Sequence, residues 1–487
     1  MNSPNRTRHL LLILLLVLTA GGGASAQQGL RETFGPGVDD GLGGIALGSE
    51  MQRLTLDQSA FPLARCNDNS PAILYFRPAS RAADRDKWVI NLQGGGACSN
   101  GLDCSQRWFS VGQAFGRNNM TSVGFPVAAD QNGIFERDEE PYASANPFAG
   151  YNQVFVHYCS SDSWAGTVAD AVVFGLDYRP VLDDTPGGVP VPRTYTISFL
   201  GRRIFDAVIQ TLRRDGVPSP AYRRADGSAQ PLPDLDDARF VILSGGSGGG
   251  AGVIHNLDHL RGMLGERTRL VGLTDSIFRP GKDVMDLSQS ALCVRRGACT
   301  VDEQNQYLFN EGSYANWGAA QGSDQSCLLY HFADPHQCAD NRHLVTDHLT
   351  TPFFVRMDLY DHGGVEDYRA DNLFMLGAPD PKPATPEHEP LSPEEFAAAL
   401  RADILELADV PRTAHERALI DFTPGAYAPA CGDHDMLRSN KGVYLTAIGR
   451  RKKEARVLDL FEAWLRHDHR PAIVAAAADR SDSTCPQ

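Results

Sequence analysis

The chain has 487 residues, 42% of them hydrophobic, and a formal net charge of −15. That apolar share is enough for a full core, and the acidic balance argues against a nucleic-acid partner, which selects basic faces. Ten cysteines without any CxxC spacing point to disulfides in an exported protein and away from a zinc ribbon or redox dithiol.

The N-terminus reads MNSPNRTRHLLLILLLVLTAGGGASAQQ, with Arg6 and Arg8 ahead of an apolar run over 10–18 and the small residues Ala24, Ser25 and Ala26. This is the pattern of a secretory signal peptide, with cleavage expected after Ala26. A membrane anchor would need about 20 apolar residues, so the mature chain is expected to be exported, soluble and without stable membrane insertion. Residues 27–86 are expected to form an extension packed on the core of a catalytic domain spanning 87–480.

Strands are expected over residues 87–94, 152–159, 238–245, 268–275 and 351–361. Most are continuous apolar runs without strict alternation, as when both faces of a strand are covered. Between them, residues 198–216 carry Leu200, Ile204, Val208 and Leu212 at a spacing of four, and Gly216 stops the helix. Two more helices are expected at 392–409, where Ser392 and Glu395 form a capping box, and at 452–468. Segments 183–193 and 378–390 read as loops. Strands alternating with helices indicate an α/β fold of α/β-hydrolase type, a mostly parallel sheet with helices on both faces, in one elaborated domain.

The stretch VILSGGSGGGAG, residues 241–252, sets Ser247 between a strand and a helix among glycines. Gly-x-Ser-x-Gly in that setting is a nucleophile elbow, a strained turn that exposes the serine oxygen at the carboxyl edge of a parallel sheet. A phosphate loop would end in Gly-Lys-Ser/Thr, and no lysine is present. A dinucleotide GxGxxG can be forced onto these glycines, but only Asp275 could supply its acidic partner. A second cluster, Gly94, Gly95 and Gly96, ends the strand at 87–94, where hydrolases of this fold place oxyanion-binding amides.

A base and a carboxylate should follow in the order Ser, Asp/Glu, His, and Asp361 and His434 meet that order. The segment RMDLYDHGG also offers Asp358. A strand running to Tyr360 would leave Asp358 inside the strand and put Asp361 at the catalytic edge. His331, His336, His343 and His348, interleaved with Asp334, Asp340 and Asp347, lack HExxH or a similar helical pair, so neither a metal nor a cofactor is expected. Among the cysteines, Cys98 with Cys104, Cys293 with Cys299 and Cys327 with Cys338 form local candidate pairs; Cys66, Cys159, Cys431 and Cys485 remain open.

The blocks INLQGGGACSN, YNQVFVHYCSSDSWAGT, FLGRRIFDAVIQTL, LSGGSGGGAGVIHNLDHL, LTDSIF, TPFFVRMDLYD and ACGDH, in this order from about Lys87 onward, resemble the pectin acetylesterase and Notum family of serine carboxylesterases. The resemblance implies Ser247 as nucleophile, Asp361 as carboxylate, His434 as base, and the backbone amides of Gly95, Gly96 and Gly248 as oxyanion donors. It also implies an extracellular, metal-free, disulfide-bonded enzyme acting on ester-linked acyl groups such as acetylated polysaccharide, with Asp162 and Asp275 as supporting hydrogen-bond partners. The chain departs from the family at Ala97, where relatives carry an aromatic residue, at Ser247-Gly248-Gly249-Gly250 in place of Ser-Ala-Gly-Gly, and at His362-Gly363-Gly364, where a Trp is usual. The rival readings are a secreted amidase or peptidase with the same triad, and an inactive carbohydrate-binding relative.

Overall fold

The computed structural model describes residues 50–486 except 112–115, 130, 184–185, 214–220, 224–227, 279–314, 319–321, 334, 362–391, 410–421, 450–453 and 467–471. The signal-peptide segment, Cys293 and Cys299, Gly216, the 378–390 loop and the departure at 362–364 lie outside the described residues.

Among the described residues, ten strands form the main sheet: β1 (Met51–Thr55), β2 (Ile73–Arg77), β3 (Lys87–Leu92), β4 (Ala128–Ala129), β5 (Asn152–Val156), β10 (Phe240–Gly246), β11 (Arg269–Asp275), β12 (Phe353–Arg356), β13 (Gly425–Ala428) and β15 (Ile473–Ala475). Three two-stranded ladders are also described: β6 (Val168–Asp177) with β7 (Val191–Phe199), β8 (Ala221–Arg223) with β9 (Ala229–Pro231), and β14 (Ala447–Ile448) with β16 (Ser483–Thr484). The sheet order is β15-β13-β12-β11-β10-β3-β5-β2-β1-β4. The strands from β15 to β5 are parallel to their neighbours, and β2, β1 and β4 are added antiparallel. Residues 51–77 thus supply two strands of the sheet itself.

Central β10 is buried from Val241 onward and β11 from Leu270 onward, which accounts for their unbroken apolar runs. By contrast β6 exposes Val172 and Phe174 between more buried neighbours, the period-2 pattern of a strand with one wet face. Helices α1 (Gly101–Phe109), α2 (Gly201–Arg213), α3 (Gly248–Met263), α4 (Gln325–Tyr330), α5 (Pro393–Glu406) and α6 (Val457–Arg466) connect these strands. Leu200, Ile204, Val208 and Leu212 are all buried, as their spacing requires, and the Ser392/Glu395 capping box is formed.

The bridges Cys98–Cys104 and Cys327–Cys338 are present as expected from their spacing. The open four pair as Cys66–Cys159, joining the β1–β2 connection to the end of β5, and Cys431–Cys485, joining the segment after β13 to the C-terminal ladder. Four bridges among the described residues place folding in an oxidising, secretory compartment. No helix among the described residues is long and apolar enough to cross a membrane.

Candidate active site

Ser247 stands between β10 and α3 with φ 54° and ψ −129°, a conformation that a residue with a side chain seldom adopts and that the surroundings must impose. Its N–H donates to the Asp275 carbonyl at 2.8 Å, and its carbonyl accepts the Ala251 N–H at 3.0 Å to start α3. Gly246 is required by crowding: a Cβ there would overlap the Asp435 carboxylate. The elbow therefore lies against the residue that follows His434. Gly248 faces the other glycine loop less tightly, since a Cβ on it would stand 3.2 Å from the Gly96 carbonyl oxygen. Ser244, three residues earlier, is buried in the strand, where its hydroxyl accepts from Asn91 Nδ2 at 3.0 Å.

The Gly94–Gly96 loop begins where β3 ends, and Gln93 fixes its start. The Gln93 N–H donates to the Val156 carbonyl (3.1 Å), its Oε1 accepts the Tyr158 N–H (3.0 Å), and its carbonyl accepts Trp164 Nε1–H (3.1 Å). Farther along, the Cys98 N–H donates to the Ser161 carbonyl at 3.0 Å, and the Cys98–Cys104 bridge ties the loop to α1. Among the described residues, no acceptor takes the N–H groups of Gly95, Gly96 or Gly248. Backbone N–H groups left without an acceptor on two loops that meet at the elbow are the raw material from which an oxyanion hole can be built.

The block SSDSWAG holds this loop in place from behind. Asp162 is fully buried and accepts from Ser160 Oγ (2.7 Å), the Trp164 N–H (3.0 Å) and the Gly201 N–H at the start of α2 (2.7 Å). Burial pushes its carboxyl up to about 7, against the pull of those donors. Asp162 thus ties the SSDSWAG block, whose Ser161 and Trp164 contact the loop, to the start of α2.

His434 Nδ1 lies 2.7 and 2.8 Å from the two oxygens of Asp361. The acid is fully buried, while the imidazole side chain keeps 27% exposure. Burial alone would lower the His434 pKa, but the hydrogen bond and charge of Asp361 outweigh it and hold the imidazole above its ordinary value. Nδ1 therefore carries the proton given to Asp361, and Nε2 is the basic nitrogen.

Asp358 corrects an expectation from the sequence. β12 ends at Arg356, so Asp358 lies past the strand rather than within it. Main-chain pairing goes on beyond the strand end, with the Met357 N–H donating to Tyr427, Leu359 to Pro429 and Tyr360 to Cys431. That pairing carries Asp361 to His434. Asp358 braces the histidine loop instead, its Oδ1 accepting Arg356 Nη2 at 2.6 Å and its Oδ2 accepting the Asp433 N–H at 2.9 Å. Arg356 Nη1 also donates to Asp275 at 3.0 Å. Asp275 in turn accepts the N–H groups of Met436 (2.5 Å) and Leu437 (3.0 Å), while Ser276 Oγ accepts that of Asp435 (3.0 Å). The histidine loop is clamped on both sides by one buried ionic group. Burial pushes the Asp358 carboxyl up to about 7 and raises Asp275 as well, although Arg356 opposes both shifts. The supporting role of Asp275 follows from the family blocks; that of Asp358 and Arg356 had no sequence signal beyond a buried run.

A parallel sheet with a strained serine elbow, a facing glycine loop and a buried Asp–His pair defines the α/β-hydrolase class. The fold is similar to the solved structures of the Wnt deacylase Notum from Drosophila: one matches with a TM-score of 0.57 and 22% identity, covering 88% of this chain and 96% of that one, and another crystal form with a TM-score of 0.58 and 23% identity, covering 90% and 99%. The family model described as pectinacetylesterase matches residues 47–221 and 231–485, and the chain belongs to that family. Curated relatives include the palmitoleoyl-protein carboxylesterase NOTUM of Drosophila melanogaster, 28% identical over 76% of this chain and 43% of its own length, and that of Homo sapiens, 27% identical over 76% and 59%. The Xenopus laevis notum2 carboxylesterase is 30% identical over 47% of this chain and 39% of its own. The match thus spans less than two thirds of each relative's own length.

Proposed function

We propose that this protein is a secreted serine carboxylesterase that removes ester-linked acyl groups, with acetyl esters of pectin or a similar polysaccharide as its substrate class. The observation that carries the reading is the hydrogen-bonded pair of His434 and buried Asp361 on a loop packed against the elbow of Ser247. Family membership and the names of the relatives support the ester class.

His434 Nε2 takes the proton from Ser247 Oγ as that oxygen attacks the ester carbonyl, forming a tetrahedral oxyanion held by the Gly95, Gly96 and Gly248 amides. Asp361 keeps Nδ1 protonated and stabilises the imidazolium. The C–O bond to the alcohol then breaks, and the alcohol leaves with the proton from Nε2. Water, deprotonated by the same nitrogen, attacks the acyl-enzyme; its collapse frees the carboxylic acid and restores the serine hydroxyl.

The test is a series of nitrophenyl esters of increasing acyl length, run beside acetylated pectin and a palmitoleoylated peptide, with the Ser247→Ala chain as control. Turnover of acetyl ester and release of acetate from pectin are expected. A folded wild-type chain that hydrolyses amides but no ester would reverse the assignment in favour of an amidase.

A further inference from the structure

Away from the Ser247 elbow, three histidines meet in the segment between α4 and β12. His331 follows α4, and a one-turn α-helix (Asn341–His343) leads directly into a π-helical turn (Leu344–His348). The larger number of residues in that turn, bonded i to i+5 in place of i to i+4, brings His343 and His348 to one side. His331 Nε2 lies 2.8 Å and His348 Nε2 3.2 Å from His343 Nε2. This i, i+5 spacing does not match the i, i+4 pair of an HExxH helix.

The outer nitrogens determine what the inner ones offer. His343 Nδ1 donates to Asp347 Oδ2 at 3.0 Å, a carboxylate that also accepts from Thr346 Oγ1 at 2.8 Å. Ser326 Oγ gives its single proton to Asp324 at 2.6 Å, so at 3.1 Å it accepts from His348 Nδ1. Both tautomers are then fixed with a lone pair on Nε2, and those two lone pairs face each other at 3.2 Å. Without a metal, the His331 Nε2–H donates to His343 at 2.8 Å; a bound cation would take both lone pairs, with the His331 proton moved to Nδ1 or released. Two imidazole ligands on a tetrahedral zinc ion, each at about 2.0–2.1 Å, stand about 3.3 Å apart, so His343 and His348 already have the separation required. His331 would have to withdraw by a few tenths of an ångström.

We propose that His331, His343 and His348 form a binding site for a divalent transition metal, zinc in particular, with Asp347 and Ser326 as the groups that orient the ligands. An all-imidazole donor set suits zinc over magnesium or calcium, and a carboxylate behind a ligating histidine is the usual support of such sites. Cys327 Sγ is also close, within 4.8 Å of the three nitrogens, but its bond to Cys338 removes it as a thiolate, leaving the fourth position to water. The metal would pin the same segment that this bridge closes. The π turn leads through Leu349 to the start of β12, the end of that strand opposite to Asp361, so the role is structural.

The test uses the full mature chain, stripped with dipicolinate, dialysed and titrated with zinc chloride, with binding read by calorimetry and melting temperature. One equivalent of zinc per chain is expected, with a melting temperature that rises with zinc and not with magnesium. His343→Gln should abolish the tight binding, and the milder Asp347→Asn should weaken it by about 10–100-fold. A folded wild-type chain with neither heat of binding nor thermal shift at millimolar zinc would overturn the site. So would zinc binding of equal strength in His343→Gln, or, if that variant does not fold, in Asp347→Asn.

Discussion

The Ser247 elbow and the His434 loop are positioned by opposite physics. The elbow is held by the absence of side chains: Gly246 leaves room for Asp435, and Gly248 lets the turn approach Gly96. The histidine loop is held by buried charge, with Arg356 between Asp275 and Asp358 and their oxygens accepting the N–H groups of Asp433, Met436 and Leu437. Steric positioning has no pH dependence and tolerates almost no substitution. Electrostatic positioning tolerates changes of shape but responds to protons, and losing one partner leaves the others buried without their charge match.

The largest effect belongs to the elbow. Ser247→Ala should abolish ester turnover while the melting temperature stays near that of wild type, because Ala occupies the same space. Assay and melt on one preparation check this, with Ser244→Ala as the control that keeps activity. On the other side, Asp361→Asn should lower the turnover number by up to about ten-thousandfold by favouring the wrong imidazole tautomer. The same change removes the interaction that raises the His434 pKa. Residual kcat/KM, which falls as pH drops through that pKa in wild type, should therefore keep its plateau to lower pH in the variant. An unmoved acid limb would mean that His434 is not the titrating base.

Breaking the ionic clamp should act on stability first. Arg356→Met leaves two buried carboxylates without their cation, and a loss of about 3–5 kcal/mol is expected from denaturant melts. A smaller, signed effect comes from Asp358. Its folded-state pKa of about 7 lies above the ordinary 3.8, so the folded chain retains a proton that the unfolded chain has released between those values. That contribution is fully present below about pH 4 and is lost as pH rises through about 7. Compared with Asp358→Asn, wild type should thus lose stability across this window, and parallel stability curves would show that Asp358 does not titrate there. The smallest effect is in the acyl pocket. Ala97→Trp, restoring bulk beside the oxyanion loop, should shift the acetyl to longer-acyl ratio by an amount in the range of about 1–3 kcal/mol per methylene accepted or rejected. An unchanged acyl profile would place Ala97 outside the pocket.

What could be read in the sequence followed the same divide. The elbow was legible because steric requirements are local: glycines beside Ser247, between an apolar run and a helix, permit few other turns. The charge clamp was not, because Arg356, Asp275 and Asp358 meet only once β11 and β12 pair and the chain folds back over them. Asp358 was misplaced inside a strand because Met357, Leu359 and Tyr360 are buried although the strand has already ended, and an apolar run reports burial, not ladder. Strands β13 and β15, four and three residues long, gave too little pattern, and β6–β7 was absent from the expected strands. Cys66–Cys159 and Cys431–Cys485 are long-range pairs that spacing does not determine. The histidine cluster is visible in the sequence, but it lacks a helical pair such as HExxH, and the π turn that joins His343 to His348 leaves no mark in the spacing.

The central claim is that Ser247 is a nucleophile activated by His434 and Asp361. Its most direct test is labelling of the folded mature chain with a fluorophosphonate, followed by peptide mass spectrometry. A single adduct on Ser247 is expected, lost in Ser247→Ala and strongly slowed in Asp361→Asn. An adduct on another residue, or none on a folded chain that still hydrolyses esters, would contradict it.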